Sequence, residues 1–154
     1  MPTFDFHFKV RASQQAVADF HRDTRALTRL TPPPILVRFH RVDPLAEGAR
    51  ADMTRWFGPI PVAWSAVHDQ VDPLRGFRET AVRSPLERWQ HRHSFTALAP
   101  DLTEVHEHLE YEHRGGWAGV FSRLLFNPLA LRFLFTYRSW VTKRALESTP
   151  RGGR

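Results

Sequence analysis

The chain has 154 residues, 42% of them hydrophobic, with 22 basic against 16 acidic side chains for a formal charge of +6. That length suits one domain burying roughly 70% of its unfolded surface, and the lack of cysteine excludes disulfide frameworks, thiolate metal centres and thiol catalysis. No apolar run approaches the ~18 residues of a membrane span, Asp5, Lys9 and Arg11 stand where a signal peptide would be apolar, and the positive charge is spread rather than gathered into an arm. The expectation is a cytoplasmic protein with no integral membrane contact and no nucleic-acid partner.

Phe4, Phe6, Phe8 and Val10 alternate with polar residues and predict a strand over 3–11. Ser13 caps a short helix in which Val17 and Phe20 have helical spacing, and a second short helix covers 24–30 before Thr31-Pro32-Pro33-Pro34 ends it. Strands are then predicted over 35–42, 49–57, 62–71, 77–83, 88–98 and 102–113, separated by turn chemistry such as Gly58-Pro59 and Asp72-Pro73. From Gly115-Gly116 to about Glu147 the pattern is helical, with Pro128 kinking it or splitting off a short leading helix. Leu131, Leu134, Val141 and Ala145 form its apolar stripe around Arg138, widened by Phe133, Tyr137 and Trp140. Strands joined by short turns pair antiparallel, and so apolar a helix must lie against a sheet. The expected fold is α+β: a curved, seven-stranded antiparallel sheet wrapped round a long C-terminal helix, with two short helices after the first strand. This single domain spans 1–147, and 148–154 is a disordered tail.

The strand over 88–98 carries the most informative pattern. Alternation puts Trp89, His91, His93 and Phe95 on one face, two ionisable rings between two large apolar ones. In the next strand Val105, Leu109 and Tyr111 share a face with Glu107. A three-residue hairpin loop at Ala99-Pro100-Asp101 places His93 opposite Glu107 and His91 opposite Leu109, with Cβ atoms ~5 Å apart and within reach of a hydrogen bond. Arg138 can close the network from the helix, since a buried arginine needs a partner. By the same parity Trp64 and His68 face inward, Met53 and Phe57 neighbour them on one side, and Phe77 on the other. An apolar interior holding a few convergent polar groups describes a small-molecule cavity better than a plain core, and five Trp and twelve Phe supply rigid walls. His106, His108 and His113 fall on the outer side as solvated residues, so no four-histidine cage forms.

The segments Val17-Ala18-Asp19-Phe20-His21-Arg22-Asp23, Leu30-Thr31-Pro32-Pro33, Pro44-Leu45-Ala46-Glu47-Gly48, Trp89 to Phe95 and Tyr137-Arg138 resemble the START-like (SRPBCC, helix-grip) superfamily. Polyketide cyclases, coenzyme-Q-binding proteins and Bet v-type allergens share that fold. The resemblance is nearest to bacterial, uncharacterised ligand-binding and cyclase-like proteins. It differs in having Ser84-Pro85-Leu86 where Gly-Pro-Phe is expected and Glu107 where an Asp is usual. The superfamily implies a hydrophobic ligand held between sheet and helix.

Three functions stay open on these residues. The first is binding of a small hydrophobic or amphipathic molecule, ring-bearing or lipid-like, by Met53, Phe57, Trp64, His68, Phe77, Trp89, His91, His93, Phe95, Glu107, Leu109, Tyr111, Leu134 and Arg138. The second is a cyclase- or dehydratase-like enzyme in which Glu107 or His93 is the acid–base group and Arg138 or Tyr111 steadies developing negative charge. The third is an interaction or regulatory protein whose core is filled by Trp64, Trp89 and Phe95 and whose surface shows an apolar patch. No cofactor and no metal is implied, although His91, His93 and Glu107 have the residue types of an open metal site; a homodimer is compatible with the pattern.

Overall fold

A computed structural model of the chain describes residues 2–147; the tail expected at 148–154 lies outside the described residues. In chain order the elements are β1 (Thr3–Val10), α1 (Gln14–Arg22), α2 (Ala26–Leu30), β2 (Leu36–Val42), β3 (Arg50–Phe57), β4 (Ile60–Asp72), β5 (Gly76–Arg83), β6 (Arg88–Ala99), β7 (Leu102–Glu112), α3 (Gly116–Leu125) and α4 (Pro128–Glu147). The strands form one antiparallel sheet in the order β1-β7-β6-β5-β4-β3-β2. Since β1 and β2 sit at opposite edges, α1 and α2 carry the chain from one edge of the sheet to the other. Local chemistry sets these boundaries. Ser13 accepts the Ala16 N–H at 3.1 Å as the cap of α1. Asn127 does the same for Ala130 at 2.9 Å with Pro128 in the first turn, so the proline splits α3 from α4, which meet at a 43° bend.

The core lies between sheet and α4, where Phe126, Leu131 and Phe135 pack with Trp64, Trp89, Leu109 and Tyr111. A second cluster joins Val17 and Ala18 of α1 to Phe8, Val10, Phe77, Phe95 and Val105. No single helix is long and apolar enough to cross a membrane.

Two sequence expectations are corrected here. The β6–β7 turn has two residues rather than three, because Ala99 pairs with Leu102; a bulge at Leu98 restores the predicted register beyond it. The buried face of α4 runs through Leu131, Phe135, Arg138, Ser139 and Thr142, and Phe133 and Trp140 point outward, 64% and 54% exposed. Hydrophobicity misplaces that face because the Ser139 and Thr142 hydroxyls donate to the Thr136 and Arg138 carbonyls within the helix, so these polar residues are buried without leaving a donor unpaired. The outward side of the helix pair instead carries Trp117, Leu124, Leu129, Phe133 and Trp140.

Candidate functional site

Register assembles the site from rows of residues that cross the central strands. One row runs His68, Glu79, His91, Leu109 and Phe4 through β4, β5, β6, β7 and β1; the next runs Phe77, His93, Glu107 and Phe6. Polar groups therefore occupy the middle of the sheet and phenylalanines the β1 edge. Glu107 sits directly opposite His93 and diagonal to His91. Its Oε2 accepts a hydrogen bond from His91 Nε2–H at 2.7 Å. His93 Nδ1 is also 2.7 Å from that oxygen, but it is not aligned for a hydrogen bond, so the contact is electrostatic. All three side chains are buried.

Electrostatics follows from that burial. Desolvation alone would raise the Glu107 carboxyl, yet the His93 and His91 rings outweigh it and hold the group well below the usual carboxylate range. His93 is pushed down, chiefly by burial, against the pull of Glu107. At neutral pH the carboxylate is charged and His93 is neutral. Phe135 seals the trio from the helix side, with its ring edge-on to His91 at 5.3 Å and stacked on Phe4 at 5.5 Å. The sequence had assigned that closing role to Arg138. The arginine stands one turn further along α4, where Glu107 and Glu79 attract it but no carboxylate among the described residues forms an ion pair with it, and its buried Nε has no hydrogen-bond partner.

The space left between sheet and helices has two parts. The inner part, about 50 Å³, is lined by His21, His68, His91, His93, Glu79, Arg55 and Arg138 among apolar walls including Met53, Phe77 and Trp89. It has room for one or two waters or a small polar group. The outer part, about 200 Å³, lies between Thr31–Ile35 and α4, and Phe57, Leu125, Phe133 and Leu134 make it apolar. Arg55 and Arg138 line both. His21 and His68 each have Nδ1 at a backbone carbonyl, Val17 O at 2.8 Å and Ala49 O at 3.2 Å. A carbonyl only accepts, so in each ring Nδ1 carries the proton of that bond.

The predicted residues divide accordingly. Met53, His68, Phe77, Trp89, His91, His93 and Arg138 line the inner space, while Phe57 and Leu134 line the outer one. Trp64, Leu109 and Tyr111 are core residues behind the wall, and Glu107 lies behind its histidines. Phe95 belongs to the cluster under α1. Three functional groups were missed: His21, Arg55 and Glu79. Parity held the signal for two of them, because Arg55 lies between Met53 and Phe57 on one face and Glu79 follows Phe77. His21 is four residues after Val17 and shares its helix face. His106 and His108 do face outward, where Asp5 Oδ1 lies 2.7 Å from a nitrogen of each.

The donor atoms of His91, His93 and Glu107 lie within 4.8 Å of one another, as do those of Asp5, His106 and His108. In both groups one carboxylate oxygen already sits at hydrogen-bonding distance from both rings, so protons can fill the role an ion would take.

No protein-family profile matches the sequence, and no curated protein matches it. Solved structures do. A protein from Chromobacterium violaceum superposes over 97% of this chain and 100% of its own, with a TM-score of 0.78 at 13% identity. An aromatase/cyclase from a Streptomyces species covers 99% of each chain at a TM-score of 0.71 and 13% identity. A START superfamily protein from Mycobacterium smegmatis covers 94% of this chain and 97% of its own at 0.67 and 12% identity. Identities so low speak for the fold alone. With its seven-stranded antiparallel grip, paired short helices after β1 and long C-terminal helix, this chain has the START-like (SRPBCC) helix-grip fold.

Proposed function

We propose that the protein binds a small hydrophobic or amphipathic molecule, ring-bearing or lipid-like, between the sheet and α4. The observation that carries this reading is the pairing of an apolar outer cleft with an inner compartment whose buried polar groups are not all satisfied by one another. Met53, Phe57, Phe77, Trp89 and Leu134 supply apolar wall; His68, His91, His93 and Arg138 supply polar contacts, with Glu107 fixing the orientation of His91 and facing His93. Trp64, Phe95, Leu109 and Tyr111 support that wall from the core.

A catalytic reading has its own support. His93 faces the inner space with Glu107 Oε2 2.7 Å behind its Nδ1, a carboxylate placed to stabilise a proton that the ring takes up. In that reading His93, rather than the strongly acidic Glu107, takes the proton in a cyclisation or dehydration, and Arg138 steadies the negative charge. The interaction-protein reading draws on the exposed apolar side chains of α3 and α4 and on the burial of Trp64, Trp89 and Phe95. Against it stand the unpaired arginines at the inner space, which a core under no demand but packing would replace.

Native mass spectrometry of freshly purified protein, followed by organic extraction, tests the binding reading. A stoichiometric small molecule of cellular origin supports it. A clean unliganded mass, together with no gain in melting temperature across a panel of aromatic and aliphatic compounds, would sink it.

A further inference from the structure

Arg55 and Arg138 are 7% and 9% exposed, and each has a buried Nε with no hydrogen-bond partner. Neither pairs with a carboxylate among the described residues. Glu107 is engaged by His91 and His93, and the histidine nearest Glu79 is His68 at 3.9 Å. The guanidinium of Arg55 lies over the Trp64 ring at 4.1 Å, and that of Arg138 over Phe135 at 5.3 Å. Aromatic rings thus cover guanidinium faces, while N–H edges remain unsatisfied beside the two spaces both residues line. Burial pulls Arg55 down to about 10; the Glu79 carboxylate opposes that fall and Arg138 adds to it. Two like charges buried together with open donors call for an anion shared between them, and the planar guanidinium fork matches a carboxylate.

We propose that Arg55 and Arg138 form an anion subsite for the carboxylate end of the ligand, with its apolar remainder in the cleft between Thr31–Ile35 and α4. This rests on the ligand-binding reading above and adds the chemical class of the ligand: a small amphipathic acid rather than a neutral ring or lipid. The small inner space admits a polar head and little more, while the larger outer cleft is apolar, so the head points inward.

Titration calorimetry at pH 7 with octanoate against octanol, and naphthoate against naphthol, tests the assignment. On the wild-type protein each acid binds about ten- to a hundredfold tighter than its neutral partner. In Arg55→Met and in Arg138→Met that ratio falls toward one. Without ligand each variant melts modestly lower than wild type, because Arg55 lies over Trp64 and attracts Glu79 while Arg138 lies over Phe135 and attracts Glu107 and Glu79; circular dichroism confirms that they are folded. Equal affinity for acid and neutral partner on the wild type overturns the anion subsite and leaves the container standing. A preference that survives both substitutions also overturns it. If none of the four compounds binds, the container reading fails with it.

Discussion

Replacing His21 with Phe tests whether α1 closes the inner space as a dry wall. The His21 ring is buried, 4.8 Å from Phe95 and 5.9 Å from His93, and burial pushes its pKa from 6.5 to about 4. Glu107 opposes that fall, while His93 and Arg138 add to it. Between those two pH values the unfolded chain takes up a proton that the folded chain refuses. Stability is therefore undiminished above pH 6.5 and is lost as the pH drops toward 4. At 1.36 kcal/mol per pH unit the full loss from this one ring is about 3 kcal/mol, of which about 2.5 kcal/mol is reached by pH 4.5. Phe keeps the ring and removes the titration. The Val17 carbonyl that His21 Nδ1–H bonds still accepts a backbone N–H within α1, so no group is orphaned. Urea unfolding of both proteins at pH 7 and at about pH 4.5 reads the difference, and the variant should gain about 2.5 kcal/mol on wild type between the two. Parallel loss in both proteins would refute the reasoning, since it would mean that the ring protonates freely and the space beneath α1 is wet.

Three further perturbations probe the same region. Glu107→Gln should cost ~1–3 kcal/mol at pH 7, because the charged acceptor of the buried His91 ring is lost. As pH falls through the depressed pKa of Glu107 the gap should narrow, since the wild-type carboxylate is protonated there too; a gap that widens in acid contradicts the assignment. Phe135→Ala, at a fully buried ring, should cost ~3–5 kcal/mol by urea unfolding, and a loss under ~1 kcal/mol would mean that α4 is not seated on β1 and His91. Gly76 has φ +132° and a Cβ there would lie 1.9 Å from the His93 carbonyl oxygen, so Gly76→Ala should cost at least ~2 kcal/mol. A tolerated alanine would show that β5 does not approach β6 as described.

Period-two alternation made the sheet legible. It also put His91, His93 and Glu107 on one face and gave the His93–Glu107 register, even though the turn that sets that register was counted one residue too long. What was not legible follows from relying on apolar residues as markers of the inside. On α4 that rule chose Leu131, Leu134, Val141 and Ala145 around Arg138, whereas the buried face also includes Ser139 and Thr142, whose hydroxyls are satisfied within the helix. In β3 and β5 the same habit retained Met53, Phe57 and Phe77 and passed over Arg55 and Glu79 at the same parity. The contact of α1 with the sheet joins segments far apart in sequence, so His21 could be assigned to a helix face but not to a partner.

The inventory of unsatisfied groups bears on whether this fold binds or also transforms its ligand. Glu107 accepts from His91, and His21 and His68 each donate from Nδ1 to a backbone carbonyl, whereas Arg55 and Arg138 leave bare donors at Nε. A buried donor left unpaired in a dry site is costly unless something bridges it. Water can bridge it in an inner space of about 50 Å³, and so can the oxygens of a ligand head. Donors line both spaces, whereas the four imidazoles line only the inner one. A ligand whose head ends at the arginines is merely held, and its affinity should be indifferent to His93. One that carries an acidic C–H or a hydroxyl past them brings that group among imidazoles, where His93 is neutral and backed by the Glu107 carboxylate. The difference between carrier and enzyme in this site is then the length of the ligand beyond its anchor, and His93→Gln separates them by leaving affinity within a few-fold while abolishing turnover.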